Sequence, residues 1–232
     1  MTTLEQIFRS WSLSENLDPE RGPVHSYEAG ASEVTLDDFE QRVGWHFPPS
    51  WRRLYKTYNG ASLFDHNLQL YPLTGKVSSV LECSAYCRGD HWPIPNELWV
   101  FGGNGQGDMY GLWVPPDRPA FEAVIELGVI HEGGCMAIAG SSLERFLLRK
   151  TVDRTLGYEG DVDAVLDVLA VPAELRVFDP QGEAYEAILR WADPDAPEQS
   201  DPYDACLTPK QVEEWLHFSE SWTASDEANG SA

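Results

Sequence analysis

Two β-rich runs, ELWVFG (97–102) and MYGLWV (109–114), are joined by GGNGQGD (102–108), a stretch with four glycines in seven residues. A connection this short forces the two runs to be neighbouring antiparallel strands, because a parallel crossover needs a dozen or more residues. The pair therefore predicts a hairpin, and with it a sheet. The same glycines raise a second possibility, a loop that cradles phosphate. A dinucleotide fingerprint needs GxGxxG between a strand and a helix. Gly103 and Gly105 fit, but Asp108 stands at the third position and a strand follows it, so no helix N-terminus can meet a phosphate. No Lys-Ser/Thr pair follows either. A turn between strands is the better reading, and any function of the loop is expected to be contact with a protein.

Other strands are expected at LQLYPL (68–73), FEAVIEL (121–127) and CMAIAG (135–140), each bounded by turn residues. Helical spacing appears at Leu4, Ile7, Phe8 and Trp11, with Thr2 and Glu5 as a candidate capping box. Residues 15–33 read as a loop. Thr35 is expected to open a helix carrying Phe39 and Val43, ended by Gly44. Pro48 and Pro49 suit the start of the next, whose stripe is Trp51, Leu54, Tyr55 and Tyr58 and whose stop is Asn59-Gly60. Ser141 or Ser142 caps SSLERFLLRK. Further helices are expected at 161–170, 183–192 and 208–222, the last with Thr208, Pro209 and Gln211 at its start and Val212, Trp215, Leu216 and Trp222 as its apolar residues. The Pro- and Asp-rich stretch 193–204 reads as a linker, and the last ten residues as a frayed end.

Motifs that carry chemistry are weak. Cys83, Cys87 and His91 form one half of a zinc spacing in a stretch that reads as a loop, and no second half is evident. Free thiols explain the same letters. His131-Glu132 lacks the second His of a zinc-protease helix, and Gly133-Gly134 would break that helix. No G-x-S-x-G elbow occurs, and the six His are scattered. No enzyme, metal or cofactor is expected.

Charge narrows the partners. The chain carries −22 overall. Residues 1–150 hold 19 acids against 12 Lys and Arg, whereas 151–232 hold 19 against 4. Such a surface repels nucleic acid and anionic lipid and attracts a basic protein. The apolar runs fall short of a membrane span, and the N-terminus has no signal-peptide pattern, so a cytoplasmic location is expected. Trp92, Trp99 and Trp113 flank the glycine loop in sequence. Sheet packing is their first reading, and an exposed member would be a candidate anchor for a partner.

Three stretches in order resemble the SMI1/KNR4 (SUKH) superfamily. In LDDFEQRVGWHFPPSWRRLYKTYNGASLF (36–64) the matching residues are Glu40, Gly44, Phe47-Pro48, Trp51, Tyr55 and Asn59-Gly60. ELWVFGGNGQGDMYGLWV (97–114) is similar to the family's strand, Gly/Asn loop and aromatic strand, and AGSSLERFLLRK (139–150) to its Ser-capped final helix. Trp113 departs from the acid that many members carry near the end of that strand. The resemblance implies an α+β fold, a mixed and largely antiparallel sheet flanked by helices, over residues 1–150 with its core at 30–150. Residues 151–232 lie outside the resemblance, and their composition and helical stretches predict an acidic, mainly helical extension. The resemblance also implies a protein-binding module, since the many bacterial members resemble or include immunity proteins that neutralise a cognate toxin, often a nuclease. Regulatory or scaffolding work with another partner is the alternative. The expected contacts are Asp90, Trp92, Asp108, Trp113, Asp193, Asp195, Asp201 and Asp204.

Overall fold

The computed structural model describes residues 3–15, 25–75, 78–89, 94–114, 122–128, 135–157, 162–176 and 183–195. Its centre is one seven-stranded sheet in the order β1-β2-β3-β4-β5-β6-β7, with every pair antiparallel. The strands are β1 (Ser26–Ala29), β2 (Tyr58–Leu63), β3 (Leu68–Leu70), β4 (Leu98–Gly103), β5 (Met109–Trp113), β6 (Ala123–Gly128) and β7 (Cys135–Gly140). Sequential neighbours in space make this a meander, so the fold is α+β as expected. No parallel pair occurs in the described sheet. The hairpin predicted around the glycines is β4–β5, in register from Leu98↔Trp113 to Gly103↔Met109 with a bulge near Val100 and Gly102. β1 falls inside the stretch read as a loop: it is four residues long and mostly exposed, so it carries no apolar alternation.

The helices follow their caps, and the caps correct several expected starts. α1 (Leu4–Ser14) has its capping box at Thr3 and Gln6, one residue beyond the expected Thr2 and Glu5. It buries Leu4, Ile7 and Trp11 fully, and each such side chain contributes about 1.5–3 kcal/mol relative to exposure. α2 (Glu33–Val43) is capped by Ser32, not Thr35, because the Ser32 hydroxyl accepts from the Thr35 amide. It ends on Gly44 at φ 68°, the left-handed cap. α3 (Pro49–Thr57) stops before Tyr58, and Asn59-Gly60 lies within β2. α4 (Val80–Cys87), capped by Ser79, replaces the loop expected around Cys83 and Cys87. α5 (Leu143–Leu156), capped by Ser142, runs through residue 150. α6 (Asp163–Val168), a short 3-10 turn (Ala173–Leu175) and α7 (Glu183–Ala192) complete the chain order.

Side chains of the sheet divide between two clusters. The larger contains buried residues of α1, α2, α3, α5, α6 and α7 against Trp99, Phe101, Tyr110, Leu112 and Val124. Phe47 stacks on Trp51 at 4.6 Å, and Trp51 meets Phe101 edge-on at 5.6 Å. The second cluster gathers Cys83 and Cys87 of α4 with Leu98, Val100, Trp113, Ile125, Leu127, Met136 and Ile138.

Described residues beyond 150 also reach the interior. Val165, Leu166, Leu169, Ile188 and Ala192 share the main core. The helix expected at 208–222 and most of the linker lie outside the described residues.

Candidate protein-interaction site

The glycine loop is held by one side chain. Asn104 Oδ1 accepts from the amides of Gln106 (2.8 Å) and Asp108 (3.1 Å), and its Nδ2 donates to Asp108 Oδ2 at 2.8 Å. Gly105 and Gly107 take φ 72° and 114°. A side chain at Gly105 is excluded twice, since a Cβ there would also lie 2.3 Å from the carbonyl oxygen of His66. The loop thus seats directly on the turn between β2 and β3.

That turn is strained. Phe64, Asp65 and His66 have φ of 54°, 53° and 70° in succession. Non-glycine residues held there cost about 1–3 kcal/mol each, so the surroundings must impose the conformation. They do so through bonds on both sides. The Phe64 ring is buried and meets His25 edge-on at 4.8 Å. The Phe64 amide donates to His25 Nδ1 at 3.0 Å, which makes that nitrogen the acceptor. The ring proton then sits on Nε2 and donates to Ser14 Oγ at 2.7 Å, which itself donates to the Trp11 carbonyl at 2.9 Å. Asn67 Nδ2 donates to the Phe64 carbonyl at 2.7 Å. Two rigid turns side by side leave Asp65, His66, Gly105 and Gln106 exposed at one end of the sheet. The turn at 64–67 escapes sequence reasoning because its one signal is a short polar run, DHN, between apolar segments.

A second constellation joins α2 to α3. Glu40 is 8% exposed. Its Oε1 accepts from Arg52 at 2.9 Å and from the Phe47 amide at 3.3 Å, and its Oε2 lies 3.0 Å from His46 Nδ1. Arg52 also reaches Asp37 (2.8 Å) and Glu33 (3.0 Å), and these carboxylates push its pKa up. The acid noted in the family pattern is thus a brace between two helices. Lys150 is a further partly buried cation. Its Nζ lies 5.0 Å from the centre of the Tyr110 ring, and burial pulls its pKa down despite nearby Glu126 and Asp153.

The expected contact residues separate into three groups. Trp113 is 3% exposed and packs in the second cluster, and Trp99 is 6% exposed in the first, so sheet packing is their role. Asp193 is 2% exposed. It accepts from the Ser141 amide (2.8 Å) and hydroxyl (2.5 Å), which pins the end of α7 to the start of α5. Of the expected contacts, Trp113 and Asp193 are thus buried. Asp108 is half-buried and committed to the loop, whereas Asp195 is exposed. Asp90, Trp92, Asp201 and Asp204 lie outside the described residues, as does His91.

Cys83 and Cys87 are free, and burial pushes both thiols up to about 11. They sit one helical turn apart on α4, with Cys87 Sγ 3.6 Å from Met109 Sδ. Among the described residues no three His, Cys, Asp or Glu converge to hold a metal ion. No described helix is long and apolar enough to cross a membrane. What the geometry offers is shaped, rigid, polar surface. No curated protein matches the chain. Strands β2 to β7, the serine-capped start of α5, the glycine hairpin and the Glu40 brace fall within residues 30–149, which match the SMI1 / KNR4 family (SUKH-1), and the chain belongs to that family.

Proposed function

We propose that the protein is a binding module that neutralises a cognate protein toxin by occupying its surface, without catalysis. Membership of the SUKH-1 family carries the reading, because bacterial members of this superfamily include immunity proteins. The net charge of −22 supports a basic partner such as a nuclease with a cationic substrate groove. An acidic inhibitor can stand in for the nucleic acid, associate quickly and block the groove. Exposed Asp65 and Asp195, with the two turns at 64–67 and 104–108, are the described surface proposed to take part. Asp90, Trp92, Asp201 and Asp204 remain proposed contacts.

The test is co-expression with a toxin encoded beside it. Survival with the protein and death without it are expected. Equal killing in both cases overturns the reading. Affinity capture that returns a regulatory or cell-envelope factor and no toxin would favour the scaffolding alternative.

A further inference from the structure

Three sulfur side chains meet where α4 packs on the β4–β5 hairpin. Cys83 and Cys87 lie one turn apart on the buried face of α4, which puts their Cβ atoms about 5–6 Å apart. Cys87 Sγ stands 3.6 Å from Met109 Sδ at the start of β5. Two sulfurs that each bind one ion at about 2.3 Å stand about 4 Å apart, so this contact is already close to the spacing of two ligands on a shared ion. We propose that Cys83, Cys87 and Met109 form a binding site for a soft monovalent metal ion, Cu(I).

The donor set and its surroundings select that ion. Thiolate and thioether ligands favour Cu(I), whereas a structural zinc takes four ligands drawn from Cys, His and carboxylate. Among the described residues no third His, Cys, Asp or Glu joins the two thiols, so a tetrahedral zinc set is not assembled. Two thiolates and a thioether do complete a three-coordinate soft site. Leu98, Val100 and Trp113 belong to the same cluster and wall the sulfurs with apolar surface, which disfavours a hydrated hard cation. Binding replaces two S–H bonds by two Cu–S bonds and releases both protons to solvent, with no change of oxidation state. Burial holds those protons on, so only an ion with strong affinity for thiolate displaces them. One Cu(I) and two thiolates together carry a single negative charge. Arg88 is placed to offset it. It follows Cys87, its charge favours the Cys87 thiolate, and its buried Nε has no acceptor among the described residues. Cys83 is 8% exposed and Met109 is half-buried, so the sulfurs stand at the margin of the cluster, within reach of an incoming ion. Met109 directly follows Asp108, so the ion would tie α4 to the foot of the glycine loop. The site does not depend on the identity of any protein partner.

The test uses the full chain carrying Cys135→Ser and Cys206→Ser, titrated under nitrogen with Cu(I) against the chromogenic chelator bicinchoninate. One Cu(I) per chain is expected, with a copper X-ray absorption spectrum fitted by three sulfur neighbours at about 2.3 Å. Met109→Leu nearly conserves side-chain volume, and it should leave two sulfurs and weaken binding at least about tenfold. Cys83→Ala together with Cys87→Ala should abolish binding. Copper that is held equally well without the two thiols lies elsewhere, and that result overturns the proposal. So does a chain that takes no Cu(I) from the chelator, or a Met109→Leu variant with unchanged affinity and sulfur count. Should the double alanine variant fail to fold, the sulfur count in Met109→Leu decides.

Discussion

Glu122 shows how a single side chain can hold a cost that the rest of the fold offsets. It lies just before β6, where its carboxylate accepts from Ser50 Oγ at 2.7 Å and from the Leu143 amide. Ser50 is in the first turn of α3 and Leu143 opens α5, so two helix N-termini face one acid. Donors of that kind favour the charged form. Burial opposes them and is the larger effect, with Glu144 adding like charge, so the pKa is raised from 4.5. The sign follows from proton linkage. A raised folded pKa means that the native state binds the proton more tightly than the unfolded chain does. The stabilisation is fully present below 4.5 and is lost as pH rises through the folded value. Glu122→Gln cannot ionise, so its stability relative to the natural protein should improve as pH is raised from 4 to 7. Urea midpoints of the two proteins across that range check this, and a gap that stays constant or moves the other way would refute it.

Helix α4 is the element where sequence and structure part most clearly, and it is also testable. The spacing of Cys83, Cys87 and His91 draws attention to metal chemistry, yet Ser79 and Glu82 in the same stretch supply a helix-start pattern. The Ser79 hydroxyl accepts from the Glu82 amide, and the two thiols turn inward against β4 and β5. With pKa values pushed up to about 11, roughly one thiol in a thousand is ionised at pH 8. In a chain carrying Cys135→Ser and Cys206→Ser, a thiol reagent at pH 8 should label neither remaining cysteine until denaturant is added. Rapid labelling of the folded protein would show that α4 does not cover that face. Other elements were legible because local signals and burial agree: the β4–β5 hairpin, α3 with its prolines, and the serine cap of α5. β1 was not, since a four-residue exposed edge strand owes its shape to pairing with β2. Nor was the interior place of Asp193 and Trp113. An acid in a Pro-rich run reads as solvated, and only the approach of α7 to α5 reveals that Asp193 closes onto Ser141.

At the scale of the molecule, charge and fold divide the work. The sheet and its helices supply a rigid body, with α5 carrying the packed core past residue 150. The excess of acid sets the long-range field. Arg52 shows that much of the acid on α2 is already engaged, for Glu33, Asp37 and Glu40 all reach one guanidinium. The pairs to exposed Glu33 and Asp37 add at most about 1 kcal/mol each, so their contribution to stability is small. Steering is different in kind, because it depends on net charge and not on pairing. A field from −22 would speed encounter with a cationic partner by roughly 10–1000-fold at low salt. The Debye length shrinks from about 30 Å at 0.01 M to about 10 Å at 0.1 M, and the advantage shrinks with it. With the proposed toxin as partner, stopped-flow association should therefore slow at least about tenfold between 0.01 M and 0.3 M NaCl, while dissociation changes far less. An association rate indifferent to salt would mean that the partner does not read this charge, and that shape at the paired turns must carry recognition instead.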